Sequence, residues 1–298
     1  MDSFLSLFGP NPSPLIWLYE LAAKLSSFDV AEMESNENSL YESLHNAVDL
    51  FDLPALCVSF DTTLETTAMG YLPPHEDGHI HTMEDALNMD VDSILTGGRI
   101  PQVLSVTSRL KESLDCAIIG GISSPEIISN SLLSPSSKND DSIREEVLFS
   151  VEEALSQLAN SYLESGADGI ALLDPNGLSL SDPLYVQTLS PLPNIIAHYE
   201  AFGALITRET SPTQIKGAAD LGFDLITGST PSPEKSIESA QDSGIHFALG
   251  IPSSTLSPEI DSVNTFLDSI PCNTLLSSEW TIPIQTPPET IHNLMGSL

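Results

Sequence analysis

Residues 142–175 read SIREEVLFSVEEALSQLANSYLESGADGIALLDP. Apolar side chains fall at 147, 148, 151, 155, 158, 159, 162 and 163, the three-to-four spacing of a helix with one buried stripe. Gly166-Ala167-Asp168 breaks that spacing, and DGIALL (168–173) follows as an unbroken apolar run ending at Asp174-Pro175. A run without alternation, bounded by turn residues, predicts a strand buried on both faces. A parallel sheet covered by helices needs such strands.

The same unit recurs outward in both directions. Strands are expected at PLIW from Pro14, ALCVSF (55–60), CAIIGG (116–121), NIIAH (194–198), FDLIT (223–227), HFALG (246–250) and CNTLLS (272–277). Helical spacing covers roughly 40–51, 102–114, 212–221, 233–243, 258–268 and 287–297. The last opens on Thr286-Pro287-Pro288-Glu289, a cap residue with proline in the first turn and an acid three places on. The first strand is the weakest, because IWLYELAAKL from Ile16 also has helical character. Strands alternating with helices predict an α/β fold, and the number of units suits a single (β/α)8 barrel over 1–298. A doubly wound open sheet is the alternative. Residues 1–13 are expected as an N-terminal extension, and SPSSKNDD (134–141) as an exposed loop between two helices.

The chain has 298 residues, 41% of them apolar, enough for a substantial core. Acids number 42 and bases only nine, five Lys and four Arg, for a net charge of −33. Self-repulsion on that scale excludes a basic nucleic-acid surface and fits a halophilic adaptation, in which salt screens an acidic exterior. No apolar run reaches the ~18 residues of a membrane span, and the N-terminus lacks the basic segment of a signal peptide. Cys57, Cys116 and Cys272 lie far apart, in neither a metal spacing nor a disulfide framework, which fits the reducing cytoplasm.

Chemistry on a (β/α)8 barrel gathers where strands end. The expected ends carry Asp61 with Glu65 close behind, Gly120-Gly121, Asp174, His198-Tyr199-Glu200, and Ser277-Ser278-Glu279-Trp280. Each has a plainer reading. Asp61 can cap the helix that follows, Asp174-Pro175 can be a turn, and His198 can be a hydrogen-bonded core residue. Carboxylates converging on one rim would raise one another's pKa, which suits acid–base work. His75, His79 and His81 have a spacing that can ligate a metal, although Pro73-Pro74 and Gly78 give the segment a loop composition. Phosphate-cradling glycine loops and a GxSxG elbow are absent.

SFDTTLETTAMG (59–70), GGRIPQVL (97–104), IIGGISSP (118–125), YLESGADGIALLDP (162–175) and LSSEWTIPIQTPPETI (276–291) together resemble the uroporphyrinogen decarboxylase superfamily. Within it the chain is most similar to the methylcobamide:coenzyme M methyltransferases. The resemblance implies a (β/α)8 barrel. It places Asp61 at the acid that contacts pyrrole nitrogens, Glu65 at a glutamate common in the methyltransferases, and Asp174 at the aspartate-proline strand end. His198 matches the histidine of a His-x-Cys zinc motif, but Glu200 stands where the cysteine would be. Trp280 replaces the later zinc cysteine, and the decarboxylases' arginine loop has no counterpart, the first arginine being Arg99. The resemblance therefore implies a harder zinc site of His198 and Glu200 with Glu279 or Asp174. Asp61, Glu65 and Asp174 would position substrate or move protons, while Trp280 and Tyr199 would offer binding surface.

Three functions follow as expectations. The first is methyl transfer from a corrinoid, on its carrier protein, to a small thiol or related acceptor. The second is decarboxylation of a tetrapyrrole or smaller acid through Asp61. The third is a non-catalytic tetrapyrrole- or corrinoid-binding barrel. A monomer or a homodimer is expected.

Overall fold

The computed structural model describes residues 14–71, 80–180, 182–256, 260–271 and 274–296. Among the described residues seven strands, β1 (Ala55–Cys57), β2 (Ala117–Ser123), β3 (Gly169–Leu173), β4 (Phe202–Glu209), β5 (Leu225–Ser229), β6 (His246–Ile251) and β7 (Leu276–Ser278), pair in chain order. Every pairing is parallel, and the curled sheet with its outer helices is TIM-barrel-like. The weak first strand is a single parallel bridge, Leu15 to Ser277. Leu15 N–H donates to Leu276 O at 2.9 Å, and Ser278 N–H donates back to Leu15 O at 3.0 Å. The helical character of that stretch is also realised, because α1 (Tyr19–Leu25) begins four residues later.

The remaining helices are α2 (Val30–Glu34), α3 (Glu37–Phe51), α4 (Leu64–Ala68), α5 (Met83–Leu87), α6 (Ile100–Ser113) and α7 (Pro125–Leu132), then α8 (Asp141–Glu164), α9 (Pro183–Leu189) and α10 (Pro191–His198). They end with α11 (Pro212–Leu221), α12 (Pro233–Ser243), α13 (Ile260–Ser269) and α14 (Pro288–Gly296). The long pattern of 142–163 is α8, whose buried residues include Val147, Leu155, Leu158 and Tyr162.

Two expectations are corrected. NIIAH (194–198) is not a strand but the second half of α10, and the fourth strand is FGALITRE, Phe202–Glu209. Pro191 opens the helix, and Leu192 and Ile196, four residues apart, are its buried pair. The boundary is hidden because the chain turns at Glu200, which adopts the left-handed φ of 56° usually left to glycine. Residues 134–141 are not simply an exposed loop. Ser134 and Ser137 are buried, with Ser134 N–H and Ser137 Oγ donating to Ile80 O at 3.1 and 2.8 Å. A short 3-10 turn spans Ser137–Asn139.

Small residues let α8 seat on the sheet. A Cβ on Gly120 would lie 2.5 Å from Tyr162 Cγ, so position 120 faces the helix layer. Neighbouring positions on a strand point to opposite faces, so Ile119, Gly121 and Ser123 turn to the barrel interior. The register carries that face sideways through Ser123, Leu173, Ile206, Thr227 and Ala248. Gly120→Ala is expected to destabilise the protein by about 1–3 kcal/mol through overpacking against the fully buried Tyr162. Urea melts of the variant beside wild type check this.

Candidate active site

The carboxyl-terminal ends of the strands form one rim. Glu65 reaches it from α4 and is fully buried. Its carboxyl accepts from Ser123 N–H at 2.8 Å and from Ser123 Oγ at 2.7 Å. Burial without an adjacent cation pushes its pKa up to about 7, and the two Ser123 bonds only partly counter this. Ser124, the next residue, caps α7 by accepting from Ile127 N–H. It also hydrogen-bonds Asp174, the acid after β3. Asp174 further accepts from Asn176 N–H and from the Tyr185 hydroxyl, both at 3.1 Å. Burial is again the leading cause of its pKa of about 6. Adjacent serines at the end of β2 thus serve two buried carboxyls that titrate near neutrality.

Asp61 belongs to a separate network. One oxygen accepts from Thr63 N–H at 2.9 Å and Thr63 Oγ1 at 2.8 Å, the local turn-capping arrangement. The other takes Arg99, which also lies 3.2 Å from Glu34. The Tyr19 hydroxyl completes the set by donating to Glu34 at 2.9 Å. Arg99 precedes α6 and bridges two acids whose side chains are each only 15% exposed. Burial raises the Glu34 pKa, with Arg99 opposing it.

Trp280 lies 9% exposed after β7 and packs edge-on against Phe60, centroids 4.9 Å apart. Phe60 in turn meets Trp17 at 6.1 Å, which makes an aromatic wall across the seam between β7 and β1. The Arg208 guanidinium, from the end of β4, sits 5.5 Å from the Trp280 ring centre. It also opposes the rise that burial imposes on the Glu20 pKa. Glu279 accepts from Ser253 N–H at 3.1 Å and Ser253 Oγ at 2.9 Å.

The structure does not assemble the expected metal ligands. His198 ends α10, and Tyr199 and Glu200 form the turn that leads into β4. All three are exposed at the opposite end of the sheet from Glu279. The Tyr199 hydroxyl donates to Glu164 at 3.3 Å, and its ring meets His198 edge-on, so it is no part of the rim. The displacement follows from the misplaced fourth strand, which puts Thr207, Arg208 and Glu209 at the rim instead. His75 and His79 lie outside the described residues, and His81 is exposed, its N–H donating to Asp85. Among the described residues no three His, Cys, Asp or Glu side chains gather as a metal's ligand set. The donors proposed for zinc therefore do not fit it as a group.

Sequence reasoning missed Arg99, Ser123, Ser124, Tyr185 and Arg208. The Ser123-Ser124 pair at a strand end was a usable signal; Arg208 was hidden by the misplaced strand.

No family model matches the sequence, and no curated protein matches it. Among solved structures, a methyltransferase from Methanosarcina mazei superposes with a TM-score of 0.78 at 20% identity, over 99% of this chain and 96% of that one. A B12-independent methionine synthase from Shewanella sp. W3-18-1, solved in complex with selenomethionine, gives 0.56 at 13% identity, over 95% and 93%. At these identities the likeness establishes the fold. It is shared over nearly the full length of each chain.

Glu65 couples this site to stability. Its folded pKa lies above its unfolded value, so its neutral form stabilises the fold below about pH 4.5, and that contribution is lost as pH rises through about 7. The loss is on the order of 3 kcal/mol. Glu65→Gln is expected to flatten the fall in stability between pH 5 and 8, read by denaturant melts across that range.

Proposed function

We propose that the chain is a methyl-transfer enzyme whose site is the strand-end rim, moving a methyl group from a corrinoid donor to a small thiol or related acceptor. The observation that carries this reading is the pair of buried carboxyls on Ser123 and Ser124, poised to hold or release a proton near neutral pH. The two structural neighbours bear methyltransferase and B12-independent methionine synthase names, which supports methyl transfer on this fold, whatever the donor.

Methylation of a thiol forms a C–S bond, breaks the bond from the methyl group to its donor, and releases the S–H proton. Corrinoids supply a methyl group that a thiolate can attack. This chain's part is to position the acceptor and take its proton. Arg99 and Glu279 are partly open groups at the rim and would hold the acceptor. Glu65 and Asp174 lie behind them and would receive the proton. Arg208 over Trp280 adds a flat cationic surface suited to a ring system.

The decarboxylase reading gains nothing from the rim. Both Asp61 oxygens are already engaged, by Thr63 and Arg99. A ligand with many carboxylates would also face Glu20, Glu34, Asp61, Glu209 and Glu279 there, against Arg99 and Arg208.

Methylcobalamin incubated with the protein and a panel of small thiols, in low and high salt, tests the proposal. Loss of the methyl-cobalt absorbance should accompany thioether formation, and Glu65→Gln should lower kcat about 10- to 100-fold with KM little changed. No thioether from any thiol would overturn the reading.

A further inference from the structure

Beside the rim, between the units that carry β2 and β3, the structure holds a cavity of about 80 Å³. At roughly 10–15 Å³ for each water-sized position, it has room for about five to eight. Its lining includes Glu126 and Asn130 from α7, Lys138 from the 3-10 turn, Arg144 from the first turn of α8, and Asp182 and Tyr185 around the start of α9.

The charges in this lining are mixed. Arg144 pairs with Asp182, and Ser179 donates to Glu126. Neither Lys138 nor Glu126 forms an ion pair among the described residues. The chain has only nine cations, and two of them stand at this one cavity. An ammonium without an ion-pair partner beside a partly enclosed cavity is open to an anionic group. Glu126, in the same lining, is open to a cationic one.

We propose that this cavity binds a small zwitterion of the amino-acid type, with its carboxylate toward Lys138 and its ammonium toward Glu126. The volume suits a compact ligand such as glycine. Tyr185 lines the cavity, and its hydroxyl donates to Asp174 at 3.1 Å, so the ligand lies one side chain away from that carboxyl. The proposal does not rest on methyl transfer.

Calorimetric titration with glycine, acetate and methylammonium tests it with no methyl donor present. Glycine is expected to bind at least tenfold more tightly than either fragment. Lys138→Gln should weaken glycine about tenfold and leave methylammonium unchanged, while Glu126→Gln should weaken glycine and leave acetate unchanged. Lys138 is exposed and Glu126 half-buried, so both variants should fold, which circular dichroism melts verify. Glycine binding no tighter than acetate would show an anion site instead. Binding untouched by both substitutions, or no binding by the folded protein, would equally overturn the proposal.

Discussion

The backbone N–H and hydroxyl of Ser123 hold the Glu65 carboxyl in a place that water does not reach. A buried carboxyl without a cation beside it keeps its proton well above the usual carboxylate range. Its position depends on the end of β2, and the path of β2 depends on close packing on both faces. Gly120 gives way to Tyr162 of α8, while a Cβ on Gly121 would lie 2.0 Å from Ser59 O of the neighbouring segment. The bare glycine pair thus sets where Ser123 and Ser124 emerge, and those serines set where the two buried acids sit.

The scarcity of cations shapes the rest. Arg99 joins Asp61 and Glu34, Arg109 joins Glu37, Lys111 joins Asp168, and Arg144 joins Asp182. Exposed pairs such as Arg109 with Glu37 contribute about 0–1 kcal/mol and weaken further in salt. Asp168 has a second task, accepting from Ile118 N–H at 2.8 Å at the foot of β2. The pair around Arg99 is more enclosed and less open to screening. It ties Asp61 into a network of its own, while Glu65 and Asp174 are acids that titrate near neutrality.

Much of the fold was legible because its signals are local. The helix at 233–243 was announced by Pro233 at its start and Gly244 at its end, and the strand at DGIALL by glycine before an unbroken apolar run. NIIAH failed because five residues cannot separate a helical from an extended period, and because Glu200 does the turning that glycine usually does. That single slip moved His198, Tyr199 and Glu200 to the wrong end of the sheet and with them the expected zinc site. Glu65 and Asp174 were visible as strand-end acids. Their burial, and the serines that serve them, depend on contacts 50 or more residues apart that no local pattern encodes.

The central claim is that Glu65 holds a proton close to neutral pH. Infrared difference spectra between wild type and Glu65→Gln, recorded as a function of pH, read that carboxyl directly. A protonated-carboxyl band present in wild type, absent in the variant and titrating with a midpoint near 7 is the predicted result. A midpoint near the ordinary 4.5 would contradict it and remove Glu65 from the pair of rim carboxyls that take up a proton near neutral pH.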